Sequence, residues 1–175
     1  MKSKFHEQEG PWKMSGQNKK TLNVLNDLIR INIDRITAYE KASHAEITTE
    51  EEMREIFYRL STESRAYVNT LHAEVIKLGG APVTQSTISG KIHLHWLNGK
   101  HSFEGTETRS RLDSCIGAEA AIQKAYKQAL DEQNQLPERI YEMIENQLWA
   151  LERAHEELVS VHEDHNSHES HKPIK

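Results

Sequence analysis

The chain is poor in the residues that cross-link or turn a fold. It has one cysteine, Cys115, so no disulfide within the chain can staple it. Four prolines and eight glycines are few for 175 residues, and most lie outside the periodic segments. A β-rich fold needs frequent turns, and this chain lacks the residues that make them. No apolar run approaches the ~20 residues of a membrane span. Lys and Arg are scattered and the net charge is −5, so neither a membrane nor a nucleic acid is expected as a partner. The stretch MKSKFHEQEGPWKMSGQNKK lacks the apolar core of a signal peptide, and the expected location is the cytoplasm. Catalytic signatures are missing too. There is no Gly-rich phosphate loop, no nucleophile elbow and no CxxC pair. Cys115 lies on an apolar helix face and reads as a small core residue rather than a nucleophile.

What is present is helical periodicity. The chain is 36% hydrophobic and 28% charged, a balance that suits long amphipathic helices in one domain. Residues 1–19 read as a flexible tail in which Trp12 could dock on the rest. A first helix is predicted from about Lys20 to Ser43, with Leu22, Leu25, Ile29, Ile33, Ile36 and Tyr39 on one stripe. Thr48 or Thr49 then caps a second helix whose first turn carries Glu51 and Glu52. It presents Met53, Ile56, Leu60, Tyr67, Leu71, Val75 and Leu78, and stops at Gly79-Gly80 before Pro82. Within 81–105, a short helix capped by Ser89 is expected, with Ile92, Trp96 and Leu97 on its apolar face and Gly99 near its end. A third long helix is predicted from about Thr106 to Glu132, with Leu112, Cys115, Ile116, Ile122, Tyr126, Ala129 and Leu130 inward. A fourth starts at Leu136-Pro137 and carries Ile140, Ile144, Leu148, Leu151, Leu158 and Val161. The bundle is expected to span 20–162, with 163–175 a disordered His-rich tail.

Loop length selects the topology. The first and last pairs of long helices have short links and should form antiparallel hairpins. The middle link, about 25 residues, can cover the ~45 Å of a 30-residue helix. The fold class expected is all-α, a ferritin-like four-helix bundle with a long second-to-third crossover containing a short helix. A simple up-down-up-down bundle ranks second, because it needs no such link.

The polar interruptions of these stripes are the candidate site. Glu40, Glu63, Glu119, Gln147 and His155 each fall near an apolar face. A buried carboxylate without a partner is costly, so these groups must meet one another, a metal, water or the rim. Glu152 and His155 form a Glu-x-x-His pair on one helix face. In di-iron carboxylate bundles two helices carry such a pair and two carry a lone Glu. Glu119 and Glu40 could be the lone carboxylates. The second helix breaks the pattern, because Asn69 stands three residues before His72 where Glu is needed. A single-metal site from Glu63, Glu119, Glu152 and His155, holding iron or a similar divalent ion, is the metal reading. The structural reading closes Glu63, Glu119, Gln147 and Tyr126 into a hydrogen-bond network that fixes helix register. His162, His165, His168 and His171, three apart, could bind zinc, nickel or copper weakly. His93, His95 and His101 lie in the crossover, where they pack on the bundle or face water.

The segments TLNVLNDLIRINIDRITAYEKA, LGGAP, SGKIHLHW, CIGAEAAIQKAYKQAL and Gln147 to His155 resemble a bacterial family of four-helix-bundle proteins of unknown function, placed by fold among the ferritin-like proteins. The resemblance covers about 20–162 and implies the ferritin-like fold. It implies no activity. The positions of Asp34, Tyr39, Glu119, Tyr126, Gln147 and His155 look like recurring family features, whereas His72 does not. Ferritin-like bundles often dimerise through a helix pair, so the partner it allows is a second copy. The function expected is non-enzymatic, acting through binding or assembly, with a stress-related role. The alternative is a ferritin-like metalloprotein that stores metal or reacts with oxygen or peroxide.

Overall fold

The computed structural model describes residues 16–44, 51–87, 90–93 and 108–169. Four long helices account for nearly all of them: α1 (Gly16–His44), α2 (Glu51–Lys77), α3 (Thr108–Ala129) and α4 (Glu138–Glu169). A short 3-10 turn, Glu132–Asn134, separates the last two. There is no strand among the described residues, and no helix there is long and apolar enough to cross a membrane. The expectations for Trp12, the caps at Thr48, Thr49 and Ser89, the 94–101 segment and the chain beyond Glu169 lie outside the described residues.

The contacts between helices fix their directions. Tyr39 stacks on Phe57 with ring centroids 5.6 Å apart, while Asn26 accepts from the Val83 amide at 3.0 Å. With Arg35 meeting Ser64 between them, rising numbers on α1 meet falling numbers on α2 and the stretch that follows it. In the same way Tyr126 meets Gln147 and Asp113 meets His162 across α3 and α4. Asn32 meets Tyr126 and Tyr39 meets Glu119 across α1 and α3. Glu74 meets Arg139 and Arg59 meets Glu157 across α2 and α4. Each of these four pairs is antiparallel, which leaves α2 parallel to α3. The chain between them therefore joins opposite ends of the helix set, as the length of that link foretold.

Local chemistry explains the ends. At the close of α2 the Gly80 amide bonds to the Val75 carbonyl and the Gly79 amide to the Ile76 carbonyl, both at 2.9 Å. Gly79 takes φ +75, the left-handed cap that this double bond requires. At the close of α3 the Asn134 side-chain amide donates to the Gln128 and Ala129 carbonyls. Three boundaries differ from the sequence reading, the first being the end of α3 at Ala129 rather than Glu132, where a 3-10 turn begins. α1 begins at Gly16 rather than Lys20, and Gln17 ties that first turn to the Asn134 carbonyl at 3.0 Å. α4 runs on through Glu169, past the expected end near 162. The added stretch has no glycine or proline to stop it, and Pro173 is the next breaker.

The interior has two apolar clusters. The larger joins Leu22, Leu25, Leu28, Leu71, Val75, Ile122, Ile144 and Leu151 with Ile92 of the 91–93 helical turn. The smaller joins Tyr39, Met53, Phe57, Leu60, Leu112, Cys115 and Leu158. Between them, at residues 32–35, 61–64 and 119 of α1, α2 and α3, the buried side chains are polar.

Candidate functional site

This polar layer is the site the helices build together. The Arg35 guanidinium is almost fully buried and grips Glu119 through two parallel bonds, Nε to Oε1 at 2.8 Å and Nη2 to Oε2 at 2.9 Å. Its Nη1 donates to Ser64 Oγ at 2.7 Å and to the Leu60 carbonyl at 3.3 Å. Tyr39 donates its hydroxyl to Glu119 Oε1 at 2.5 Å, and its ring lies 5.3 Å from the guanidinium carbon. Planar, bidentate pairing of this kind is the strongest arrangement two opposite charges can adopt in an apolar interior. Burial works against the Arg35 charge, but Glu119 outweighs it and holds the guanidinium above its ordinary value.

A neutral chain of bonds adjoins the ion pair. Asn32 donates from Nδ2 to the Leu28 carbonyl and to Tyr126 Oη, both at 2.8 Å. Tyr126 in turn donates to Gln147 Oε1 at 2.9 Å. Asn32 Oδ1 is buried without a hydrogen-bond partner. Burial raises the phenol of Tyr39, with the Glu119 charge adding to it, and raises that of Tyr126. Burial and Glu63 push Tyr67 up to about 12. Raised phenols give stability that is fully present below the ordinary tyrosine value of 10.0 and is lost as pH rises through the shifted ones. In an ultraviolet titration these three phenols should ionise only as alkaline unfolding sets in. Their ionisation near pH 10 with native circular dichroism would contradict the buried layer.

The residues singled out from sequence scatter around this layer. Glu119 is in it, with both oxygens engaged. Glu63 is half-exposed and pairs with Arg59 at 3.3 Å, so it stands beside the network and not in it. Its Oε2 is buried without a partner, as is His155 Nδ1. Glu152 faces Lys127 at 2.8 Å near the surface. Glu40 pairs with Arg65 on the outside and is no interior carboxylate. Gln147 and Tyr126 bond to each other as expected, but their third partner is Asn32. Among the described residues, no three His, Cys, Asp or Glu side chains come together in a set that could hold a metal ion. The di-metal pattern does not fit for a further reason. The carboxylate that would bridge two cations already holds a guanidinium, and a dication beside it would meet that positive charge at close range.

Residues 20–132 match the family described as a domain of unknown function, DUF2383. The chain belongs to that family. No curated protein and no solved structure matches it. The DUF2383 match takes in Arg35, Tyr39, Ser64 and Glu119, so the whole ion-paired half of the layer falls inside the family region. Gln147 and His155 lie beyond it.

Sequence reasoning missed Arg35, Asn32 and Ser64. The signal was there in the spacing of Leu25, Leu28, Asn32, Arg35 and Tyr39, which alternates steps of three and four. It also left His93 undecided between packing and solvent. His93 is buried, its Nε2 lying 3.1 Å from Asp34 Oδ2, and it pins the crossover to α1.

Proposed function

We propose that this DUF2383 chain is a non-enzymatic bundle of ferritin-like topology that acts through binding or assembly. In it, the Arg35–Glu119 pair fills the place a metal takes in a di-iron carboxylate bundle. The observation that carries the reading is the saturation of Glu119 by Arg35 and Tyr39. A carboxylate whose two oxygens are held in this way has no free oxygen with which to bridge metals, and the phenol beside it is fully buried. Tyr58 and Ile76 of α2 and Trp149 of α4, beside Arg153, are large exposed side chains that a partner could cover.

A second reading is a single divalent ion on the α2–α4 side. It rests on the two buried atoms without partners, Glu63 Oε2 and His155 Nδ1. Elemental analysis of full-length protein, purified without affinity tag or chelator, separates the two. The expected result is no stoichiometric metal in the bundle. Metal that survives Glu119→Ala but is lost in Glu63→Ala and His155→Ala would establish the second reading. One or two ions per chain lost on Glu119→Ala would overturn the first.

A further inference from the structure

α1, the 3-10 turn and the 90–92 segment line an open cleft of about 520 Å³. Its size suits a small molecule. Among the described residues its lining carries three cations, Lys20, Arg30 and Lys91, against one carboxylate, Asp27. That carboxylate is already committed: Oδ1 accepts from Arg30 Nη1 at 3.0 Å and Oδ2 from the Ile92 amide at 3.1 Å. Among the described residues Lys20 and Lys91 form no ion pair, and the side-chain amides of Asn23 and Gln133 make no hydrogen bond. Arg30 is mostly buried, yet its Nε finds no acceptor.

The walls are held in place before any ligand arrives. Gln17 bonds the 3-10 turn to α1, and Asp27 bonds the 90–92 segment to the same helix. Preformed walls spare a ligand the cost of ordering them.

We propose that this cleft binds a small organic anion of sugar-phosphate size. Its charged end sits among Lys20, Arg30 and Lys91. Its polar, uncharged body meets Asn23 and Gln133. This goes beyond the bundle reading above and does not depend on it.

The test is a titration of full-length, isotopically labelled protein with ribose 5-phosphate, followed by backbone amide shifts, with ribose as the uncharged control. Saturable shifts are expected around residues 20–30, 90–92 and 133–134, and ribose should give none. Lys20→Ala with Lys91→Ala should weaken binding about tenfold, because two favourable charge pairs are lost. Both lysines are exposed, so the unliganded variant should keep its melting temperature. Three results would each overturn the proposal: no saturable shift up to about 10 mM, equal affinity in the double variant, or equal shifts with ribose.

Discussion

Arg35→Met should lower the stability of the fold by about 3–5 kcal/mol, read from urea denaturation at neutral pH. The change leaves the Glu119 carboxyl group in an apolar interior with only Tyr39 to bond it, and breaking a buried ion pair by removing one partner costs this much. Glu119→Leu should cost a similar amount for the mirror reason, because the guanidinium then keeps only Ser64 and the Leu60 carbonyl. The two losses should not add. Removing both charges together removes the desolvation cost of each, and such replacements are commonly neutral or stabilising by about 1–4 kcal/mol. One loose end would remain, the Tyr39 hydroxyl, whose orphaning costs about 1–3 kcal/mol. Adding Tyr39→Phe should therefore recover most of what the double variant still lacks. Single variants that each cost under about 1 kcal/mol would show that the pair is open to water.

Why keep a pair whose removal is so cheap? The layer lies between two clusters of interchangeable aliphatic side chains. Leu and Ile contacts alone are tolerant of a shift by one helical turn. Arg35 must meet Glu119 on α3 and Ser64 on α2 at the same level, and Tyr126 must meet Asn32 on α1 and Gln147 on α4. A slide of any one helix would place a buried charge or amide against aliphatic neighbours, at a cost of several kcal/mol, about the size of a domain's whole stability. The layer thus sets the register of all four helices.

How much of this was legible depended on what announces itself in one-letter code. The Gly79-Gly80 stop of α2 was legible because a left-handed cap needs glycine. The parallel course of α2 and α3 was legible because a long link is the only way to make it. The face of α1 was legible at Leu22, Leu25, Ile29 and Tyr39 but not in its middle. Following apolar letters gave Ile33 and Ile36, which are half-buried, in place of Asn32 and Arg35, which are buried. A cation in a core position is invisible to hydrophobic pattern. It shows only in what neutralises Glu119, for which the apolar pattern offers a hydrogen-bond network or a metal but no guanidinium. The run of α4 to Glu169 was hidden for the opposite reason: a polar stretch without a breaker carries no signal in either direction. The hold of Asp27 on the crossover had no sequence signature, since it joins residues 65 positions apart.

That hold yields the second large effect. Gly90 takes φ +82, and a Cβ added there would lie 1.6 Å from Asp27 Oδ1. Gly90→Ala cannot be relieved by a small shift, because the carboxylate is fixed from both sides by Arg30 and the Ile92 amide. The left-handed conformation costs an alanine about 1–2 kcal/mol, and losing a carboxylate–amide bond adds about 1.5–3 kcal/mol. The sum, about 2.5–5 kcal/mol, should act on the segment rather than on the four helices, since a crossover can lift off locally. The expected result is a large gain in hydrogen exchange at Ile92 and His93, with the helical core changed far less. Asp27→Ser makes room, so Gly90→Ala on that background should cost only the backbone strain. Exchange at Ile92 as slow in Gly90→Ala as in the parent would mean that the close approach of Gly90 to Asp27 is not kept in solution. The cleft wall, which rests on the same bond, would then have to be held by His93 and Asp34 instead.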